Sequence, residues 1–196
     1  MTPYLVLDLE TRETFREVGA FSPALLSISL VGIYDSATDR ESTFRAEELD
    51  ALGARLRTAP LVVGYNLHGF DYPVLKAALA KMPGDAANRR LDPFTLPTVD
   101  LFLHLQQALG FRPKLDAVAE ATLGHGKTGD GLDAIRFFRQ GNWDALAQYC
   151  LNDVRITRDL YEHGLRRGHV KFPLRNGTVA EVKATWVPAP EQVKLC

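Results

Sequence analysis

Five side chains suited to phosphoryl chemistry stand at telling intervals. Asp8 and Glu10 end the apolar run that starts at Tyr4, Asp71 follows the stretch from Gly64 to Phe70, and Tyr149 lies four residues before Asp153. Alternate side chains of a strand share a face, so Asp8 and Glu10 project together while Leu5, Leu7 and Leu9 take the other face. Tyr149 and Asp153 share one side of a helix, about a turn apart. Four carboxylates converging without a cation would repel one another and raise their own pKa values. Divalent cations remove that cost. Hard oxygen donors suit Mg²⁺ or Mn²⁺, and the absence of a cysteine–histidine cluster disfavours zinc. Two such ions about 3.5–4 Å apart can activate a water, polarise a scissile phosphate and stabilise the leaving oxygen. A tyrosine hydroxyl would hold the attacking water. Each fragment also has a plain structural role open to it: solvated acids on a strand, a carboxylate at a helix N-terminus, a hydrogen bond on a helix face.

The elements that must position these residues favour the chemical reading. Residues 4–9, about 25–35 and about 40–45 read as an antiparallel meander turned at Asp35–Asp39. A helix is predicted near 46–57, a short buried strand over 61–65 and an amphipathic helix from Phe70 to Lys81. The stretch from Pro83 to Pro97 reads as a polar loop leading to a short strand that ends at Asp100, which can cap a helix starting near Leu101. Further helices are predicted at about 114–123, 131–139 and 143–166. The result is an α/β fold, a mixed five-stranded sheet with helices on both faces in the ribonuclease H-like arrangement. The acids then fall on the first strand, the helix after the fourth strand and the last long helix. Residues 1–168 form this unit. Residues 169–196 read as an appended C-terminal β-hairpin with Asn176-Gly177 at its turn, then a frayed tail around Pro188-Ala189-Pro190.

Bulk properties set limits. A chain of 196 residues, 46% hydrophobic and 24% charged, suits one globular domain. Its formal charge of −1 argues against a protein that coats long nucleic acid, which needs many cationic contacts; gripping a few terminal nucleotides needs far fewer. Two cysteines, Cys150 and Cys196, are expected as reduced thiols. With no basic leader and no apolar run long enough to cross a bilayer, a cytoplasmic protein without a membrane partner is the default expectation.

The local wording adds more. Gly64-Tyr65-Asn66 followed by Phe70-Asp71, then Lys114-Leu115-Asp116-Ala117-Val118-Ala119 with Leu123-Gly124 and Lys127, then the segment Tyr149–Asp153, resemble the proofreading exonuclease domain of family B DNA polymerases. They also resemble related stand-alone bacterial ribonuclease H-like exonucleases. The resemblance runs from about Tyr4 to Leu165 and is to the DEDDy subgroup of 3′→5′ exonucleases. The sister subgroup has histidine five residues before the last aspartate, where this chain has Gln148. The resemblance implies that Asp8, Glu10, Asp71 and Asp153 bind two Mg²⁺ or Mn²⁺ ions, that Tyr149 orients the nucleophile, and that Thr11, Asn66 and Phe70 touch the terminal nucleotides. The expected activity is removal of nucleoside 5′-monophosphates from the 3′ ends of single-stranded nucleic acid, DNA ahead of RNA. A non-catalytic binding or assembly module and a structure-specific endonuclease are the alternatives. DNA repair, replication editing and RNA turnover all accommodate such an enzyme.

Other residues have quieter expected roles. Asp100 is expected as a helix cap, Asp116 as a first-turn acid, His68 as a structural loop residue, and Trp143 and Trp186 as packing groups. Arg89, Arg90, Lys114, Lys127, Arg136 and Arg139 are candidates for a backbone groove, against the simpler reading of a solvated face.

Overall fold

The computed structural model describes residues 2–126, 131–174 and 177–186. Lys127, Asn176, the Pro188–Pro190 segment and Cys196 lie outside the described residues.

β1 (Leu5–Thr11), buried along almost its whole length as a strand covered on both faces must be, lies at the centre of the sheet. β2 (Ile28–Asp35) pairs antiparallel with β1, and β3 (Arg40–Arg45) continues the meander to one edge. On the other side of β1, β4 (Val62–Gly64) and β5 (Thr98–Asp100) run parallel to it, giving the order β3-β2-β1-β4-β5. This is the mixed five-stranded sheet expected from the sequence, although β2 starts at Ile28, after a 3₁₀ turn over Pro23–Leu25.

Each face of the sheet carries its own core. Leu5, Leu7 and Leu9 pack with Leu52 and Leu56 of α1 (Leu49–Arg57) and with Leu75 and Leu79 of α2 (Tyr72–Leu79). On the opposite face Tyr4 and Val6 meet α4 (Leu101–Leu109), α5 (Leu115–Leu123) and α7 (Trp143–Arg167). Asp8 and Glu10, in phase with Val6, therefore project toward α7. A further helix, α6 (Gly131–Arg139), packs on α7.

Two local expectations are corrected. The stretch expected as loop between Pro83 and Pro97 contains the single turn α3 (Ala86–Arg89), capped by the Asp85 carboxylate. One turn is too short to show a 3.6-residue period. The helix expected from Phe70 is entered through a wide turn over Leu67–Asp71, in which the Tyr72 N–H reaches back to the Leu67 carbonyl.

The C-terminal hairpin, β6 (His169–Pro173) and β7 (Val179–Lys183), forms a separate two-stranded sheet. Val170 and Val182 are buried in the α4–α5–α7 core, and the Trp186 indole N–H donates to the Tyr161 carbonyl at 3.0 Å.

Candidate active site

The site begins where a hydrogen-bond ladder stops. β4 pairs with β1 only at Leu5 and Val6, so the N–H of Leu9 has no strand partner on that side. The carboxylate of Asp71 takes it, Oδ1 accepting at 3.1 Å. A buried backbone donor must be satisfied, and here that need draws the third acid to the strand bearing the first two. Asp71 stands at the N-terminus of α2, as its helix-terminus reading expects, but makes no side-chain capping bond to it; its carboxylate serves the strand instead.

The wide turn that delivers Asp71 has an unusual start. Asn66 sits at φ 70°, a left-handed conformation that asparagine tolerates better than most residues. Its N–H donates to Asp100 Oδ1 at 2.8 Å, and the His68 N–H donates to Asp100 Oδ2 at 3.0 Å. Asp100 also caps α4 by accepting from Phe102 N at 3.1 Å. The expected cap is thus a brace as well, a role the sequence did not reveal because its partners lie more than thirty positions away. His68 serves the same brace, its ring bonded to Asp100 and packed against Tyr72 and Phe94. Gly69 is held to a bare backbone because a Cβ there would collide with Asn66 Oδ1.

From the other side α7 lies close over β1 and β2. A Cβ on Gly32 of β2 would sit 2.9 Å from Cys150 Sγ and 3.1 Å from Val154 Cγ2, so the glycine sets how near the helix can come. Cys150 reaches the Asp8 carbonyl oxygen at 3.6 Å and its Oδ2 at 3.8 Å. On the same helix Tyr149 and Asp153 are 7% and 3% exposed, so neither is the surface residue its spacing also allowed. Asn142 caps the helix, and Trp143 packs against Phe138 beneath the Arg45 guanidinium.

All eight residues singled out in the sequence border one cleft of about 530 Å³. Asp8, Glu10, Asp71 and Asp153 supply four carboxylates, with Tyr149 beside them. Thr11, Asn66 and Phe70 line the same cleft, and a register shift in β1 between Glu10 and Thr11 re-aims the strand end. Phe15 joins them, edge-on to Phe70 at 6.1 Å; only the fold brings it there. Leu132 and Ile135 of α6 also line the cleft.

The electrostatics suit a cation. Burial pushes the Asp71 carboxyl well above its ordinary range, and Asp8 and then Asp100 push it further, against the lowering effect of its backbone hydrogen bonds. Ligand atoms of Asp8, Glu10 and Cys150 lie within 4.8 Å of one another. Burial, followed by the charges of Asp8, Glu10 and Asp153, drives the Cys150 thiol up as well. It stays protonated, so the usable donors are carboxylate oxygens, and this set fits hard divalent ions.

Comparison with known proteins agrees with the geometry. The RNase_H superfamily profile matches residues 5–164. The chain belongs to the RNase_H superfamily. No curated protein matches its sequence. Among solved structures, this superfamily member is similar to the family B DNA polymerase from the hyperthermophilic archaeon Pyrobaculum calidifontis, with a TM-score of 0.62 at 22% identity. The match covers 84% of this chain and 25% of the polymerase chain, and it shows a shared fold. Among the described residues no helix is long and apolar enough to cross a membrane.

Proposed function

We propose that this RNase_H superfamily member is a 3′→5′ exonuclease that removes nucleoside 5′-monophosphates from single-stranded nucleic acid, DNA ahead of RNA. One observation carries the reading: four carboxylates and a tyrosine from three separate elements line a single cleft. Their charge would be costly to hold together in a protein that binds no cation. Two divalent ions, Mg²⁺ or Mn²⁺, held by Asp8, Glu10, Asp71 and Asp153, would supply the charge that polarises the scissile phosphate and acidifies the attacking water.

The chain's own groups do the rest. The Tyr149 hydroxyl orients the water through a hydrogen bond and needs no bulk deprotonation. Phe70, next to Asp71, offers a ring for a base freed from its neighbour, and such stacking tolerates any sequence. A paired end must first be unpaired and unstacked, which favours single strands. Thr11 and Asn66 contact the terminal nucleotide.

End-labelled single-stranded DNA and RNA, incubated with Mg²⁺ or Mn²⁺, test the reading. A 5′-labelled strand should give a descending ladder, and a 3′-labelled strand should release labelled mononucleotide at once. Equal cutting of circular and linear strands would point to an endonuclease, and binding without any cleavage to a non-catalytic module.

A further inference from the structure

The catalytic cleft does not end at the acids. Asp8, Tyr65, Asn66 and Gly131 also border a second recess of about 620 Å³ that runs toward the turn between α4 and α5. Asp116 lies in its wall. Arg112 and Lys114 border this recess and, in turn, a third of about 750 Å³. The third recess is closed by Phe111 and by Phe172, Pro173 and Leu174 of the C-terminal hairpin. Shared lining residues thus join the three recesses in a row, from the carboxylates, past two cations, to an aromatic floor.

The parts of that track are matched to a nucleic-acid strand. Of the cations that the sequence offered for a groove, Arg136 is paired with Asp133 and Arg139 with Glu17. Among the described residues neither Arg112 nor Lys114 has an ion-pair partner, and the Arg112 guanidinium lies over the Phe102 ring at 4.6 Å. Phe111 is 42% exposed, with its ring 5.2 Å from that of Phe172 at an interplanar angle of 60°. The floor is held rigidly. Thr122 Oγ1 accepts from Lys171 N at 2.8 Å and donates to the Lys171 carbonyl at 3.1 Å, fixing β6 to α5, while the Tyr65 hydroxyl donates to the Pro113 carbonyl at 2.9 Å and fixes the turn. Cations that follow a backbone beside aromatic rings that receive bases make up the usual surface for single strands.

We propose that Phe111 and Phe172 form a stacking platform for nucleotides on the 5′ side of the scissile bond, with Arg112 and Lys114 holding the phosphates between platform and cleft. The C-terminal hairpin is then part of the substrate site. This rests on the exonuclease reading for the polarity of the strand, and a protein partner on the apolar face is the rival occupant.

The test uses the full chain with Ca²⁺ in place of Mn²⁺ to hold back turnover. It measures the affinity of a 5′-fluorescent strand on the order of ten nucleotides, and separately the turnover of a dinucleotide with Mn²⁺. Phe111→Ala combined with Phe172→Ala should weaken the long strand about 5- to 150-fold and leave dinucleotide turnover unchanged. Phe172 is partly core, so Arg112→Gln with Lys114→Gln provides a second arm. That pair should reduce the slope of log affinity against log salt by about 1.4. Wild-type strand affinity in the first variant with a wild-type salt slope in the second leaves the apolar face to a protein partner and overturns the platform, even if dinucleotides are still cleaved. A wild type that binds the long strand through these residues yet cleaves nothing keeps the platform and removes the nuclease.

Discussion

The Asp71 carboxylate accepts the Leu9 N–H at 3.1 Å, so one of the four acids of the cleft also stands in for a missing strand partner. Asp71→Asn separates the two roles, since an amide oxygen can keep the bond while the charge is lost. Cleavage should fall by more than the roughly 10- to 100-fold that the outer partners of a metal site cost. In chelator the melting temperature should rise, because Asp71 is 3% exposed and faces Asp8. Mn²⁺ should stabilise the wild type more than the variant. A melting temperature in chelator below that of the wild type would mean that Asp71 is there for architecture alone.

Tyr149→Phe removes one hydroxyl from the cleft wall and almost no volume. Turnover should fall roughly 10- to 1,000-fold with little change in substrate affinity, the scale for losing a group that orients a reacting water. Single-turnover kinetics separate the two quantities. An unchanged chemical rate would reduce the tyrosine to packing.

Gly32→Ala places a methyl group against Cys150 Sγ and Val154, so α7 must move off the sheet. Overpacking of this kind costs about 1–3 kcal/mol, and it shifts Tyr149 and Asp153 relative to β1, so cleavage should drop with stability. Cys150→Ala on the same chain removes the nearer obstacle and should restore part of both. Urea melts of the four chains in the double-mutant cycle measure the coupling. Strictly additive losses would show that the helix is not seated on this glycine.

His163 on α7 has its pKa lowered, first by burial and then by the nearby charges of His169, Arg167, Arg166 and Lys171. Among the described residues its Nε2 has no hydrogen-bond partner. Its folded pKa lies below the ordinary 6.5, so the unfolded chain takes up a proton first as the solution is acidified. Stability from this group is therefore complete above 6.5 and is lost as pH falls through the folded value. His163→Gln should flatten that part of the curve of unfolding free energy against pH. The same slope in both chains would show that other groups carry it.

What could be read in advance follows from how local each cause is. Alternation in β1 and the four-residue step from Tyr149 to Asp153 are short-range, and they place their side chains as the dihedral periods require. The long period of α7 and the antiparallel meander were visible for the same reason. The left-handed Asn66, the wide turn after it and the brace from Asp100 depend on contacts between distant segments, and no window of sequence contains them. Gly32 looks like a weak point in a strand until the helix over it is known. No local pattern singles out Phe15 or Phe111, and only the fold brings the first to the cleft and the second to the recess under the hairpin.

Asp8 and Glu10 project from β1 toward α7, which carries Asp153, while the connection through α3 is fastened to α1 on the other face, where Asn88 donates to the Asp50 carbonyl and carboxylate. Arg90, just beyond, is exposed. Extra residues inserted after it would pay only the slow cost of a longer loop, about 0.6 kcal/mol per doubling, and would emerge far from the chemistry. The fold therefore has a silent flank, on which evolution or a protein engineer can graft a tether or a recognition module without disturbing the acids of the cleft.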